Sequence, residues 1–359
     1  MGAIVKNLSS GLSCWLVVLL FSAPLPVAKA EPKPPPVRIF QPRKFAGTPV
    51  PAVRTPLGIP EDYKPWVAKL KNNQLLIVCF HAGRNPTKEH AVFWRSDDGG
   101  KTWTETRVGP EGFPARAATM NDWTAFEIPD PKRPGKQLTC LGISMSHGGK
   151  QTADYVSLWR SRDSGKNWDK SLKPDTQGWS DVDGFFCQSV TYAGQRNRLL
   201  HVVRVDRGGP HWKLPVRPGE KLAGNDNADR MMLWISTDGG HSWRKQKEGG
   251  RFGIYGEMYP RFLKLADKRL LLTFTVRSGS TDGYPLGVRA IISDDDGQNW
   301  DFRHDRMVIS YENEGASGGG FGNTVQNADG SLVSCYSYRG KDGKTHVEAV
   351  RWQLPALKK

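Results

Sequence analysis

The chain has 359 residues, and its 51 lysines and arginines outnumber its 36 aspartates and glutamates, which gives a net charge of +15. That length accommodates one large domain or two ordinary ones. After residue 30 no stretch approaches the ~20 apolar residues of a membrane helix, which argues against a helical membrane protein. The sequence contains neither Cys-x-x-Cys nor His-x-x-x-His. We therefore predict no metal site and no cofactor.

The N-terminus has the features of a secretory signal peptide. Lys6 precedes an apolar run at residues 15–21, and the small-residue stretch Ala-Lys-Ala ends at Ala30. We predict cleavage after Ala30 and a secreted protein, periplasmic or extracellular. The mature chain keeps a net charge of +13, which favours a polyanionic partner. In an exported protein an acidic glycan fits best, and we expect neither a nucleic acid partner nor a membrane span.

Residues 31–60 are rich in proline and are predicted to form an extended tether. Within this segment the sequence VRIF, from Val37 to Phe40, alternates like a lone strand. Residues 61–359 are predicted to form the folded domain.

Four cysteines remain after cleavage: Cys79, Cys140, Cys187 and Cys335. An even number permits two disulfides in an oxidising compartment. Because three of the four lie within apolar runs, free cysteines in the core are the favoured alternative.

From residue 61 onward a similar unit occurs five times. Each unit opens with two strands joined by a turn rich in Asn, Asp or Gly, as a hairpin requires. The hairpins read WVAKLKNNQLLIVCF, WTAFEIPDPKRPGKQLTCLGIS, FFCQSVTYAGQRNRLLHVVRV, YPRFLKLADKRLLLTFTV and FGNTVQNADGSLVSCYSY. A third strand follows each hairpin: HAVFWR, DYVSLWR, DRMMLWI, GVRAII and HVEAVRW.

The pattern Ser-x-Asp-x-Gly-x-x-Trp directly follows the third strand in the first four units, so it is predicted to form the turn into a fourth strand. Its copies are Ser96/Asp98/Gly100/Trp103, Ser161/Asp163/Gly165/Trp168, Ser236/Asp238/Gly240/Trp243 and Ser293/Asp295/Gly297/Trp300. Repeated four-stranded units without helical periodicity predict an all-β fold, a β-propeller with one blade per unit. The last unit lacks a fourth strand, which VRIF could supply to close the ring.

This pattern is the Asp-box, and from about residue 37 to 355 the chain resembles the sialidase superfamily of Asp-box (BNR-repeat) propellers. The resemblance implies that each Asp bonds the amides of its own turn and that each Trp packs between blades. It also implies that the boxes lie away from the active site. The family has six blades, whereas five repeat units are visible in this sequence.

In a propeller the loops leading into the first strands and leaving the second strands meet at one end of the channel. These loops carry the acids Glu61, Asp62, Asp122, Asp181, Asp183 and Glu257. They also carry Lys64, His81, Arg84, His147, Arg204, Arg261, Arg277 and Arg339, which we predict to bind substrate. Arginine side chains are well suited to binding a substrate carboxylate, and a pair of acidic side chains is well suited to cleaving a glycosidic bond.

The resemblance assigns roles to some of these residues. The stretch GEMYPRFLKLADKRLLLTFTVR resembles the family segment in which a glutamate precedes a hairpin and an arginine ends it. By that match Glu257, or less simply Tyr259, takes the nucleophile role, and Arg277 is one arginine of the carboxylate triad. Lys64 replaces another arginine of the triad. The loop HAGRNPTKEH lacks the family's acid/base aspartate. Asp122 or Asp62 could reach inward instead, and Asp122 is the candidate general acid.

These residues predict a secreted, sialidase-like glycoside hydrolase that acts on an acidic carbohydrate. Two alternatives remain open. A non-catalytic glycan-binding propeller would keep the arginines and aromatics and tolerate loss of the acids. A polysaccharide lyase would use a Tyr or His base beside a cation that neutralises a uronate.

Overall fold

The structure is a computed structural model that describes residues 37–40, 48–69, 73–81, 90–106, 121–130, 132–145, 156–162, 182–183, 189–192, 198–205, 230–245, 251–255, 257–276, 287–301, 306–310 and 322–354. The described part is built from β-strands and turns and contains no α-helix. None of its segments forms a helix of the length and hydrophobicity needed to cross a membrane. Pro35–Lys359 forms one compact unit.

The strands in chain order are β1 (Arg38–Phe40), β2 (Thr48–Pro49), β3 (Ala52–Leu57), β4 (Asp62–Lys69), β5 (Leu75–His81), β6 (His90–Ser96), β7 (Thr104–Thr106), β8 (Asn121–Pro129), β9 (Gln137–Met145), β10 (Val156–Ser161), β11 (Val182–Asp183), β12 (Ser189–Tyr192), β13 (Leu199–Val205), β14 (Arg230–Ser236), β15 (Arg244–Lys245), β16 (Arg251–Tyr255), β17 (Glu257–Lys264), β18 (Leu270–Val276), β19 (Gly287–Ser293), β20 (Asn299–Asp301), β21 (Arg306–Ser310), β22 (Gly322–Gln326), β23 (Leu332–Arg339) and β24 (Thr345–Trp352).

Each predicted unit forms its own antiparallel sheet. The first sheet is β4-β5-β6-β7, and the second is β8-β9-β10. The third runs from β11 and β12 through β13 and β14 to β15 and β16. The fourth contains β17-β18-β19-β21, and the fifth contains β22-β23-β24. Every hairpin predicted from the sequence is therefore present.

The N-terminal segment differs from the prediction. The fourth strand of the fifth sheet is β3, which pairs with β24 over the whole length of β3. The prediction that VRIF supplies this strand was wrong, because β1 instead lies parallel to β20 of the fourth unit. Val37 explains this position, since its side chain is buried in the core between the third and fourth sheets. Strand β2 pairs with β21, so parts of the predicted tether belong to the sheets.

In the Ser-x-Asp-x-Gly-x-x-Trp motif a carboxylate holds the turn after the third strand. Asp98 Oδ1 accepts hydrogen bonds from the amides of Lys101 at 2.9 Å and Thr102 at 3.0 Å. The Ser96 hydroxyl donates to the same oxygen and accepts the Gly100 amide at 2.7 Å. These side-chain bonds pair backbone amides of the turn that would otherwise hydrogen-bond only to water.

The third and fourth copies repeat this geometry, with Asp238 and Asp295 in the place of Asp98. Residues 163–181, which include most of the second copy, lie outside the described residues. Trp300 is buried in the core shared by the third and fourth sheets. The role predicted for the aspartate is confirmed in the three described copies, and the role predicted for the tryptophan is confirmed for Trp300.

The sheets pack face to face because their strands alternate between two apolar surfaces. In β18, Leu270 and Leu272 join the core toward the third sheet, whereas Leu271 joins the core toward the fifth. In β23, Leu332 faces the fourth sheet and Val333 faces the first. Strands buried on both faces have nearly continuous apolar sequences, and β18 (LLLTFTV) is buried along its whole length.

Two of the cysteines lie within these cores. Cys79 and Cys335 are buried and form no disulfide, as predicted for core thiols. Both belong to the core between the first and fifth sheets.

Candidate functional site

The open ends of the hairpins bring predicted site residues to the same end of each sheet. In the first sheet Asp62, at the start of β4, pairs with His81, at the end of β5. In the fourth sheet Glu257 pairs with Val276, the residue before Arg277. The same arrangement places Asp122 opposite Ser144 and Asp183 opposite Arg204.

The motif aspartates lie at the other end of the sheets. Ser96 pairs with Leu75 at the start of β5, and Ser293 pairs with Leu270 at the start of β18. Hydrogen bonds also lower the pKa of these carboxylates. Partial burial raises the pKa of Asp98, but hydrogen bonds, led by that of the Thr102 hydroxyl, outweigh it and lower the pKa to about 2. These groups stabilise turns and are poorly suited to proton transfer.

The first strands of neighbouring sheets contact one another. Strand β4 packs against β22, β22 against β17, β17 against β12, and β12 against β8. The first strands of the five sheets are thus neighbours in space, although they are spread along the chain from residue 62 to residue 326.

One contact joins the first and fourth sheets directly. The guanidinium carbon of Arg261 lies 5.2 Å from the centre of the Trp66 ring, a cation-π distance. Arg261 is 8% exposed, and its Nη1 donates to the Pro260 carbonyl at 3.2 Å. Arg261 is therefore oriented by Trp66, and little of its side chain faces solvent.

The fifth sheet fixes the neighbouring part of β4. The Val67 amide donates to Asn323 Oδ1 at 2.7 Å, and Asn323 Nδ2 donates to the Val67 carbonyl at 2.9 Å. Strand β4 is an edge strand, so these bonds satisfy backbone groups that no further strand pairs.

Strands β4 and β17 contain the same bulge. The register of β4 shifts between Tyr63 and Trp66, and that of β17 shifts between Met258 and Arg261. In both strands the second bulged residue is proline, which cannot donate a ladder hydrogen bond. Lys64 and Tyr259 consequently occupy equivalent backbone positions. Bulges commonly re-aim side chains beside binding sites.

The backbone is strained at the start of β4, at Glu61 and Lys64. Lys64 has a φ of 50° and Glu61 a φ of 80°, values that residues with side chains rarely adopt. The Lys64 ammonium lies 5.7 Å from the centre of the Tyr63 ring. Strain of this kind is concentrated at functional sites.

A hydrogen-bonded pair of side chains closes the first hairpin. Asp62 is fully buried, and its Oδ1 lies 2.8 Å from Nδ1 of His81. Its Oδ2 accepts the Ile59 amide at 2.9 Å. The His81 side chain is 21% exposed. Asp62 thus holds the Nδ1 edge of a ring that is partly exposed.

Two other polar groups near Arg261 are unsuited to chemistry. Burial raises the pKa of Cys335 to about 12 and that of Tyr336 to about 12. Both side chains are fully buried. They remain protonated at neutral pH and are structural.

The predicted site residues fall into three groups. Lys64, His81, Arg261 and Arg339 are described with their side chains, and Arg339 is exposed at the end of β23. The described part of Asp122, Arg204, Glu257 and Tyr259 is the backbone. Arg84, His147 and Arg277 lie outside the described residues. Among the residues that the structure describes, no group of three His, Cys, Asp or Glu side chains could hold a metal ion.

Sequence reasoning placed Asp62 in the channel mouth, as the alternative to Asp122 for the acid/base role. In the structure Asp62 is fully buried, with both oxygens hydrogen-bonded. Its partnership with His81 follows from the hairpin register, because a first-strand start faces a second-strand end. The Arg261–Trp66 contact had no sequence signal beyond the shared proline of the two bulges.

Comparison with known proteins gives structural similarities at low identity. No family profile matches this sequence, and no curated protein matches it. An α-L-arabinofuranosidase from Fusarium graminearum in complex with an iminosugar inhibitor is similar, with 13% identity, a TM-score of 0.41, and coverage of 88% of this chain and 100% of that chain. An endo-arabinase from Bacteroides thetaiotaomicron gives 12% identity, a TM-score of 0.39, and coverage of 88% and 99%.

A mutant of Trypanosoma rangeli sialidase that displays trans-sialidase activity is also similar. It gives 12% identity, a TM-score of 0.42, and coverage of 85% of this chain and 60% of that chain. At these identities and TM-scores the similarities assign neither a family nor an activity to this chain.

Proposed function

We propose that this protein is a secreted, sialidase-like β-propeller glycoside hydrolase that acts on an acidic carbohydrate. The observation that carries the proposal is the meeting of first strands from distant parts of the chain. Trp66 of the first sheet contacts Arg261 of the fourth. This contact supports the view that acids and cations from separate units lie near one another at one end of the sheets.

The geometry of the motif supports the sialidase resemblance. Three described copies use the aspartate to hold the turn, and they lie at the end of the sheets away from the predicted site. By the resemblance, Glu257 and Tyr259, near the opposite end of β17, are the proposed nucleophilic pair. The nucleophile's oxygen would bond to the anomeric carbon as the leaving oxygen departs.

The substrate's negative charge would be held by cations near that end. Lys64 and Arg277 are the candidates, with Arg261 behind them against Trp66. A lysine offers a point charge and not a guanidinium fork, so we expect this site to differ from a three-arginine clamp. Asp122 is the candidate that the sequence offers for the proton donor.

The test is an activity screen with the purified mature protein. Sialosides, uronate polymers and sulfated glycans are incubated with the protein, and released products are detected by mass spectrometry. We expect release from at least one acidic substrate and its loss in Glu257→Gln. Asp97→Asn is the matched control, because Asp97 is an exposed carboxylate at the other end of the first sheet. Wild-type rates in Glu257→Gln would contradict the assignment.

The screen also separates the alternatives. Binding without turnover, with affinity unchanged in Glu257→Gln, would identify a glycan-binding propeller. An unsaturated product that absorbs ultraviolet light would identify a lyase.

A further inference from the structure

The Asp62–His81 pair has a fixed geometry. Both oxygens of the buried Asp62 carboxylate are engaged, one by the Ile59 amide and the other by Nδ1 of His81. Because an ionised carboxylate only accepts hydrogen bonds, the proton between the two side chains belongs to His81 Nδ1. The Nε2 edge of the ring then points away from Asp62, and the side chain is 21% exposed.

The loop around Asp62 holds this geometry in place. A Cβ atom on Gly58 would lie 2.0 Å from Asp62 Oδ2, and Gly58 itself has a φ of 75°. The Glu61 amide donates to the Thr345 carbonyl of the fifth sheet at 2.7 Å. Glu61 also has a positive φ, which packing must maintain. The carboxylate is therefore enclosed by a backbone conformation that leaves no room for a larger residue at position 58.

We propose that His81 is the proton-transferring residue of this site in place of Asp122, and that Asp62 is its positioning residue. This inference rests on the proposed hydrolase function. His81 lies at the open end of the first hairpin, and the loop that follows it, HAGRNPTKEH, contains no aspartate that could take the role. Histidine can both give and accept a proton near neutral pH.

His81 takes part in two proton transfers. The imidazolium gives its Nε2 proton to the glycosidic oxygen while the bond from that oxygen to the anomeric carbon breaks, and the electron pair stays with the oxygen. The leaving group departs as an alcohol. The neutral imidazole then takes a proton from a water molecule whose oxygen bonds to the anomeric carbon. The bond from that carbon to the nucleophile's oxygen breaks at the same time, and its electron pair returns to the nucleophile. Asp62 accepts the Nδ1 hydrogen throughout and stabilises the imidazolium.

Leaving-group dependence tests this role. The sugar that the wild type releases in the screen is supplied as its methyl glycoside and as its 4-nitrophenyl glycoside. The nitrophenolate leaves without protonation, whereas methanol requires it. We expect His81→Gln to lower kcat on the methyl glycoside by about 10²–10⁴-fold, with little change in KM and a much smaller effect on the nitrophenyl glycoside. Asp122→Asn should change both substrates by the same factor.

A second variant tests the positioning role. In Asp62→Asn the amide oxygen can still accept the Ile59 amide, but the NH₂ group then faces His81 Nδ1. The neutral ring should move its hydrogen from Nδ1 to Nε2, which ¹⁵N NMR of the imidazole detects without any substrate. The variant should also show the leaving-group-dependent loss. Near-ultraviolet circular dichroism confirms that both variants are folded.

Three results would overturn the inference. An equal loss on both glycosides in His81→Gln, with leaving-group dependence in Asp122→Asn, would return the role to Asp122 and leave the hydrolase proposal intact. An Nε2-protonated neutral ring in the wild type would contradict the geometry. Absence of turnover of every glycoside by the wild type would overturn the proposed function itself, and the assignment of His81 with it.

Discussion

Replacement of Gly297 by alanine tests how the third and fourth sheets pack. Gly297 lies in the last copy of the Ser-x-Asp-x-Gly-x-x-Trp motif and has a φ of 76°. A Cβ atom there would lie 2.4 Å from Cδ1 of Leu200 and 3.1 Å from Cδ1 of Leu270. Both leucines are fully buried, so their methyl groups have little space into which to move.

The matched control is Gly135→Ala. Gly135 has the same φ of 76°, but no atom lies within 4 Å of a Cβ at that position. Alanine costs about 1–2 kcal/mol at either site, because a left-handed conformation is unfavourable for a residue with a Cβ. At Gly297 overpacking adds about 1–3 kcal/mol. We expect Gly297→Ala to lower the free energy of unfolding by about 2–5 kcal/mol in total.

Equilibrium unfolding in urea, followed by circular dichroism, measures the two losses. The informative quantity is the difference between the variants, since the backbone contribution cancels. Equal losses would refute the packing of the motif glycine against Leu200, and with it the face-to-face contact of these sheets.

Two further predictions concern hydrogen bonds. Asp98→Asn should lower the free energy of unfolding by about 1 kcal/mol at pH 7, an estimate reduced for the exposure of Asp98. Because the folded-state pKa is about 2 and the ordinary value is 3.8, this contribution is present above pH ~4 and fades as the pH falls toward ~2. Urea unfolding at pH 7 and 3 measures it, and an equal loss in Asp97→Asn would contradict it. Asn323→Ala should cost about 2–4 kcal/mol by leaving two backbone groups of Val67 unpaired, and an unchanged rate of hydrogen exchange at the Val67 amide would argue against this.

The hairpins and the motif turns were predictable from the sequence because they depend on local interactions. Alternating and continuous apolar runs separated by Asn-, Asp- and Gly-rich turns specify which residues pair within a hairpin. The role of Asp98 follows equally locally, since the groups it binds lie within four residues. Every predicted hairpin is present for this reason.

The partner of the N-terminal segment was not predictable in the same way. VRIF and the AVRTPL sequence of β3 both suit an edge strand. The choice between them depends on where Val37 is buried, and that core forms only when the third and fourth sheets meet. A strand's own sequence cannot encode which of several open edges it will cover.

The candidate site was likewise predictable from the sequence only in part. The sequence alone identified the repeating units, the ends of the strands that carry acids and cations, and the structural role of the motif aspartates. Only the tertiary structure placed Arg261 against Trp66 and enclosed Asp62 beneath His81. Local patterns specify which groups share an end of a hairpin, but the burial that orients a charged side chain comes from strands that are distant along the chain.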